Sequence, residues 1–359
     1  ADDPRTVAGN ALALHFKTYA PGDARDKAAS SEISAVLKDL SRDEAYAWYR
    51  DAFDTGFGEL AVVGDFDPAE VKAALAKALG AKRRADPAQA WEPYYVMYRP
   101  VPAARIALDT PGKDNAALAA RVDFACNQFD EAYPAMVVAN WIVGGGTSIT
   151  SRLMDRLRQK EGLSYGVFSA LNGQYSRKGD RSAWVVQAIV APENLARAEA
   201  CVREELERAV KDGVTAEELD EARRGILEHR ALQRSQDAAL VSSWCSLLRY
   251  DLDFGFSKAF DEKVRALTVE DVNAALRRMI RLEGLTMVLA GDKAKARAAG
   301  KPVELDSIDT FADGIAVRKV GDLTFDICRA VVDRLVQVPE GQICSTILEL
   351  YNLNAIVVE

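Results

Sequence analysis

Residues 267–292, LTVEDVNAALRRMIRLEGLTMVLAGD, decide the fold because a capped helix and an apolar strand follow one another there. Thr268 and Asp271 have the spacing of a capping box, in which the side chain of each residue binds the backbone N–H of the other. The run Thr286–Ala290 is mainly apolar and is followed by Gly291, which is typical of a strand that ends in a turn. The stretch therefore predicts a helix followed by a strand.

The same arrangement occurs a second time near the start of the chain. Ser41 and Glu44 have the spacing of a capping box, and the later run Leu60–Asp65 is apolar and again ends in Gly-Asp. Gly64 and Gly291 are 227 positions apart, and the two predicted helix starts have the same separation. A cap, a helix, a strand and Gly-Asp in one register indicate an internal duplication of a domain of about 200–230 residues.

The two copies differ in completeness. Residues 103–293 hold predicted strands and helices in mixed order, which indicates an α+β domain with an antiparallel-rich sheet and a helical layer. Residues 1–80 hold the helical part and one strand, so we predict a truncated first copy whose helices leave an apolar face uncovered unless another segment supplies strands. Residues 81–102 are the predicted linker, 294–305 a seam, and 306–359 a short α/β tail.

Composition and charge exclude several classes of protein. The chain has 359 residues, a net charge of −8, and hydrophobic and charged fractions of 49% and 28%, values typical of globular proteins. The acidic balance argues against nucleic-acid binding, which requires a basic surface. No apolar run is long enough to span a membrane. We therefore expect neither a nucleic-acid partner nor a membrane span.

Histidine and cysteine are scarce. The five cysteines are odd in number and form no CxxC pair, so we expect buried or half-buried free thiols. The two histidines are far apart: His15 lies in an Ala/Leu-rich helix and is expected in the core or at a cap, and His229 in a charged helix is expected in solvent. Structural zinc sites need close-spaced Cys and His ligands, so no metal site is expected within the chain.

A glycine triplet, Gly144, Gly145 and Gly146, precedes a predicted helix at 151–160. Such a triplet could hold phosphate on backbone N–H groups, but Gly-Lys-Ser/Thr is missing and no strand precedes it. We favour a hinge at which the backbone passes close to neighbouring elements.

Residues 1–293 resemble the pitrilysin-like zinc peptidases (inverzincins), in particular the C-terminal, zinc-lacking half of their two-unit bacterial members. The resemblance rests on LAVVGDFD at 60–67, on the glycine triplet, and above all on SRLMDRLRQKEGLSYGV at 151–167. It implies that Arg158 and Tyr165, seven positions apart, bind the substrate peptide opposite a zinc site in another domain. A guanidinium and a phenol can both donate to the scissile carbonyl region, where negative charge develops during hydrolysis.

The family's H-x-x-E-H zinc motif is absent from the chain. We therefore expect no catalytic residue here, zinc in a segment that precedes residue 1 or in a partner half, and no peptide hydrolysis by this chain alone. The alternative is a non-catalytic scaffold or partner subunit of such a peptidase. The resemblance leaves a periplasmic and a cytoplasmic location both open.

The tail resembles a different family. Residues 309–352 of the predicted segment 306–359 are similar to an internal piece of the pyridoxal-phosphate threonine/serine dehydratases. That family's cofactor-binding lysine segment and phosphate-binding glycine loop have no counterpart here. Because the chemistry requires a Schiff-base lysine, we expect at most the remnant of a dehydratase, fused at the seam.

Overall fold

One mixed β-sheet organises residues 105–291 in a computed structural model of the chain. The structure describes residues 3–20, 23, 25–26, 28–55, 59–79, 95–145 and 151–298. The chain divides into two compact units, Ala1–Gly291 and Asp292–Glu359. The sheet belongs entirely to the first unit.

The sheet has five strands in the order β1-β5-β2-β4-β3. In chain order they are β1 (Arg105–Asp109), β2 (Ala116–Ala125), β3 (Ser164–Asn172), β4 (Arg181–Val190) and β5 (Thr286–Gly291). Only β1 and β5 pair in parallel, and every other adjacent pair is antiparallel. The expected α+β class with an antiparallel-rich sheet is thus confirmed.

A layer of helices covers one face of this sheet. Its members are α5 (Tyr133–Asn140), α7 (Leu195–Asp212), α8 (Ala216–Arg234), α9 (Asp237–Leu248), α10 (Phe254–Ala266) and α11 (Val269–Met279), with single 3₁₀ turns at Pro192–Asn194 and Leu282–Gly284. Of these helices, α9 joins the layer by packing on α8. The apolar stripe of α7 supplies Ala198, Val202 and Leu206 to the same buried cluster as Leu118 and Phe124 of β2. Each large apolar side chain buried there contributes about 1.5–3 kcal/mol to stability.

The helix α1 (Pro4–His15) lies on the opposite face of the sheet. Its Ala8 and Leu12 pack with Ala117 and Ala119 of β2. Successive residues of a strand point to opposite faces, so these alanines face α1 while the residues between them face the helical layer. The small side chains allow α1 to approach the sheet closely.

Three further helices precede the sheet in the chain. They are α2 (Ser30–Asp39), α3 (Arg42–Thr55) and α4 (Pro68–Leu79). No residue described in 28–51 or 59–78 is buried, and Trp48 of α3 is 74% exposed. The strand predicted at Leu60–Val63 is wrong: these residues form no ladder with any described strand, and Leu60 is 55% exposed. A strand without a neighbour leaves its N–H and C=O groups to water, so nothing fixes it as a strand.

In the second unit the structure describes residues 292–298. They form α12 (Lys293–Ala298), whose first N–H groups, from Ala294 and Lys295, donate to the Asp292 carboxylate at 2.8 and 3.0 Å. The predicted tail 306–359 and most of the predicted linker lie outside the described residues. Within the described ranges no helix is both long and apolar enough to cross a bilayer.

Candidate functional site

Residues 151–167 contain a short helical segment, which ends at Lys160, and the start of β3. The helix α6 (Arg152–Met154) begins at Ser151, whose Oγ accepts a hydrogen bond from the Met154 N–H at 3.4 Å. Wider π-helical turns continue over Asp155–Lys160. We call them the second π-helical segment, because a first one occurs earlier in the chain at Trp141–Gly145. Gly162, with φ +64°, then reverses the chain into β3, and glycine adopts this conformation without steric cost.

Two leucines fix the orientation of this segment. Leu153 and Leu157 are both fully buried in the main core. The Leu163 N–H donates to the Leu157 carbonyl oxygen at 2.8 Å, which closes the loop before β3. Because Leu157 points inward, the next residue, Arg158, lies on the exposed side of the segment.

The Arg152 guanidinium anchors the segment to α8. It donates two hydrogen bonds to Glu218, both of 2.6 Å, and a third to the Gly213 carbonyl oxygen at 2.7 Å. The bonds to Glu218 raise the pKa of Arg152. Burial alone would raise the pKa of Glu218, but the hydrogen bonds from Arg152 and from the Thr215 N–H outweigh it and lower that pKa. Arg152 is thus a structural cation and is not available to a ligand.

Two other cations of the segment are also held by carboxylates. Arg156 contacts Glu204 at 2.7 Å and Glu161 at 2.9 Å. Lys160 contacts Asp155 at 2.7 Å. These pairs are partly exposed, so each contributes little to stability, but together they occupy the charges of both side chains.

Arg158 differs from its three neighbours. Its side chain is exposed, and it has no ion pair or hydrogen bond with any residue that the structure describes. A guanidinium with five free donors can bind a carboxylate or a peptide carbonyl in two-pronged geometry. With respect to the described residues, the segment thus presents one cation without a partner beside three that carboxylates hold.

Tyr165 lies in β3 at an irregularity of the ladder. Ser164 pairs with Val190 and Gly166 with Ile189, so Tyr165 is the extra residue of a β-bulge. Bulges bend a strand and redirect side chains, and they are frequent beside functional sites. The side chain of Tyr165 lies outside the described part of the structure. Its pairing with Arg158 therefore stays a prediction.

Gly144 and Gly145 lie in the first π-helical segment, Trp141–Gly145, which continues α5. A Cβ on Gly144 would lie 2.9 Å from Ser169 Oγ and 3.2 Å from the Ser169 backbone nitrogen. A Cβ on Gly145 would lie 2.7 Å from Asn140 Cγ. Gly144 therefore permits close packing on β3, and Gly145 leaves room for the side chain of Asn140. Gly146 lies outside the described residues, and hinge motion stays a prediction.

Asn140 explains why this contact is tight. Its Oδ1 accepts hydrogen bonds from Ser169 Oγ and from Trp184 Nε1, both at 2.8 Å. Trp184 is fully buried, and its indole N–H needs such an acceptor. No local pattern points to this amide, because its partners lie on strands 29 and 44 positions later in the chain.

The described residues offer no zinc site. No three His, Cys, Asp or Glu side chains among them lie close enough together to hold a metal ion. His15 Nε2 lies 2.9 Å from the Pro102 carbonyl oxygen. His229 is half-buried, with its ring 6.2 Å from that of Trp141, so it is less exposed than expected. The burial follows from the contact between α8 and the first π-helical segment.

Three cysteines fall within the described residues, and all are free. Cys126 and Cys201 are buried and Cys245 is half-buried, as expected. Burial raises the pKa of Cys126 to about 12 and also raises that of Cys201. A thiol with a raised pKa is a poor nucleophile, so neither buried cysteine is suited to catalysis.

The fold matches solved structures of peptidase-like proteins. A peptidase M16 inactive domain from Pseudomonas fluorescens aligns with a TM-score of 0.64 and 22% identity, covering 81% of this chain and 66% of that one. A protease from Helicobacter pylori aligns with a TM-score of 0.60 and 16% identity, covering 71% of this chain and 60% of that one. At these identities the likeness shows the fold alone, and the chain spans about two thirds of these relatives.

Family membership follows from the sequence of the same region. The family described as Peptidase M16 inactive domain matches residues 39–226, just over half of the chain. The chain belongs to this family. The resemblance to the zinc-lacking half of the pitrilysin-like peptidases is thereby confirmed.

The dehydratase-like segment is also confirmed. The family described as pyridoxal-phosphate dependent enzyme matches residues 255–359. The biosynthetic L-threonine dehydratase of Halalkalibacterium halodurans is 57% identical over 60 residues, and that of Bacillus subtilis 51% over 65 residues. These stretches are 17% and 18% of this chain and 14% and 15% of the dehydratases.

The family match begins well before residue 306. Its first part, residues 255–291, includes most of α10 together with α11 and β5. In the structure β5 is hydrogen-bonded between β1 and β2, inside the peptidase-like sheet. These residues therefore belong structurally to the M16-like unit.

Proposed function

We propose that residues 1–293 form the peptide-binding, non-catalytic half of an M16-type zinc peptidase. The observation that carries the proposal is Arg158, an exposed guanidinium without a described partner in a segment whose other cations are all held by carboxylates. Membership of the inactive-domain family supports a division of labour in which this half binds and a partner half cleaves. Zinc belongs to that partner, because the described residues supply no ligand set for it.

The sheet adds a second feature that suits a peptide. β3 is at the edge of the sheet among the described strands, and it begins beside the second π-helical segment. An edge strand presents backbone N–H and C=O groups that an extended peptide can pair with. In this proposal the peptide backbone lies along β3, Arg158 binds its carbonyl or terminal carboxylate, and the Tyr165 hydroxyl adds a donor.

Binding of a peptide to the chain alone tests this function. We expect Arg158→Gln to weaken binding of a fluorescein-labelled unstructured peptide by about tenfold or more, because a charge-assisted hydrogen bond contributes about 1.5–3 kcal/mol. Tyr165→Phe should weaken it less, since a neutral hydrogen bond contributes about 0.5–1.5 kcal/mol. Fluorescence anisotropy at fixed ionic strength measures both constants.

Lys160→Gln is the matched control. It removes the same charge two positions away, from a side chain that already pairs with Asp155. An equal loss of binding affinity in Lys160→Gln and Arg158→Gln would show that the peptide responds to the overall charge of the surface and not to a specific contact with Arg158. Unchanged binding in Arg158→Gln would contradict the role assigned to this residue. With a zinc-bearing M16 half added, cleavage of a quenched peptide should depend on Arg158 in the same way.

A scaffold role is the second candidate, and the exposed helices favour it. Trp48 and Tyr49 of α3 are 74% and 57% exposed, as in a surface that a partner covers. A scaffold would stabilise the zinc-bearing half without binding its substrate. Raised thermal stability of the partner, together with peptide cleavage that Arg158→Gln leaves unchanged, would support the scaffold over the peptide-binding half.

A further inference from the structure

A cavity lies among the helices of the first unit, and residues of α5 and of the first π-helical segment line part of it. Its volume is about 670 Å³, and α8, α9 and α10 form most of its walls. Sites for small molecules usually enclose about 300–1,000 Å³. We call it the α8–α10 cavity; neither Arg158 nor any described side chain of β3 is among its lining residues.

Aromatic side chains form a large part of the lining of the α8–α10 cavity. Six aromatic residues line it: Tyr133, Trp141, Tyr175, Phe254, Phe256 and Phe260. His229 also lines it and lies against Trp141. Aromatic side chains favour aromatic ligands through edge and face contacts as well as through buried area.

The lining is also basic, and the Arg230 guanidinium lies 4.5 Å from the centre of the Phe260 ring. Arg230 and Arg234 line the cavity, and no Asp or Glu is found among its described lining residues. Both guanidiniums bind the same carboxylate behind them, that of Asp261, which is 7% exposed. Arg230 also donates to Ser257 Oγ at 2.9 Å, which holds it in place. One carboxylate can neutralise one guanidinium, so the pair retains one excess positive charge at the cavity wall.

We propose that the α8–α10 cavity binds a small carboxylic acid with an aromatic body. The ring lies among the aromatic side chains, and the carboxylate accepts hydrogen bonds from Arg234. Of the two arginines, Arg234 has fewer contacts with the protein and a more exposed side chain, 35% against 29%. A carboxylate ligand neutralises the positive charge that remains after Asp261 has paired with the two arginines.

Titration calorimetry on the full chain tests the proposal with phenylbutyrate as the probe. We expect saturable binding of one equivalent, and binding of the uncharged phenylbutyramide at least about tenfold weaker, because it cannot accept a charge-assisted bond. Decanoate supplies the same carboxylate on an aliphatic body and should bind more weakly than phenylbutyrate. Equal binding of acid and amide, tighter binding of decanoate, or no binding at millimolar ligand would overturn the proposal.

Variants locate the site. Arg234→Gln should weaken phenylbutyrate binding by about tenfold or more, and Arg230 remains to neutralise Asp261, so the fold is retained. Arg224→Gln is the matched control: it removes the same charge from α8 at an exposed position that does not line the cavity, and binding should not change.

A cavity-filling variant gives an independent check. Ser243→Trp places a large side chain at an exposed lining position without altering any charge, and it should abolish binding. Thermal unfolding confirms that each variant is folded. Unchanged binding in either Arg234→Gln or folded Ser243→Trp would place the ligand elsewhere and overturn the assignment.

Discussion

Gly144 lies where the first π-helical segment crosses β3, and the absence of a side chain there is a packing requirement. An added Cβ would approach Ser169 Oγ at 2.9 Å and Leu153 Cδ1 at 3.1 Å. Leu153 is fully buried, and a well-packed core has no room for it to move away. Gly144 therefore allows the motif that carries Arg158 to pack closely on the sheet.

We predict that Gly144→Ala lowers the free energy of unfolding by about 1–3 kcal/mol, the usual cost of overpacking a core. Urea unfolding of the full chain, followed by tryptophan fluorescence, measures the change. Gly9→Ala is the control, because Gly9 lies inside α1 and an added Cβ meets nothing within 4 Å. It should gain about 0.5–1 kcal/mol from helix propensity. Equal stability of Gly144→Ala and wild type would show that Ser169 and Leu153 can move aside to make room for the added methyl group.

At the scale of elements, α3 and α11 have the same start and different surroundings. Ser41 and Glu44 cap α3 as Thr268 and Asp271 cap α11, each pair with both reciprocal hydrogen bonds, as predicted. A cap is a local interaction, so it forms in both places. Burial is not local, and the two helices differ there.

Aligning the two copies at their separation of 227 positions shows how burial differs between α3 and α11. Trp48 and Tyr49 of α3 correspond to Ala275 and Leu276 of α11. The former are 74% and 57% exposed, whereas the latter are 2% and 0% exposed, in the core beneath α5 and the sheet. No described strand or helix takes the place of those neighbours at α3. The duplication itself stays a prediction, since it rests on sequence register and on the two matching caps.

The start of α8 predicts a dependence of stability on pH. The pKa of Glu218 is lower in the folded chain, because its bonds from Arg152 and from the Thr215 N–H outweigh the effect of burial. A lowered folded pKa contributes stability that is present above the unfolded pKa, about 4.3 for Glu, and that is lost as pH falls through the folded value. We expect urea midpoints to fall below about pH 4.

Glu218→Gln should remove part of that acid dependence and cost about 1–2 kcal/mol at neutral pH, because Arg152 loses its charged partner. Glu221→Gln, one turn later on an exposed position of α8, is the control and should leave both quantities unchanged. Parallel pH profiles of Glu218→Gln and wild type would show that another group dominates acid unfolding.

At the scale of the whole molecule, burial is concentrated in residues 103–291, and α2, α3 and α4 contain no buried residue among those described. Helices of this length are marginal in water without a packed face. We predict that backbone amides of α2–α4 exchange with deuterium far faster than those of β2, β4 and β5. Hydrogen exchange read by mass spectrometry measures this directly.

The internal control for that experiment is α11, which has the same cap and the same place in the repeat as α3. Fast exchange in α3 beside slow exchange in α11 would show that tertiary burial, and not the cap, stabilises these helices. Equal protection of the two would mean that another element covers α3 in solution. If addition of a zinc-bearing half slows hydrogen exchange selectively in α3, the exposed face of α3 is the surface that contacts that half.

The sequence by itself determined the local features of this protein. The capping boxes, the helix followed by a strand at 267–292 and the motif at 151–167 depend on residues close together in the chain. Such patterns can be recognised because their physical causes, capping and periodicity, act within a few residues. The α+β class followed from their order.

Only the tertiary structure decided the rest. It showed that Leu60–Val63 pairs with no described strand, that Arg158 alone of four neighbouring cations lacks a described partner, and that two arginines share Asp261 beside an aromatic cavity. Each of these results depends on groups distant in sequence. Burial, ladder hydrogen bonds and ion pairs form only where the folded chain brings such groups together, so no local pattern can encode them.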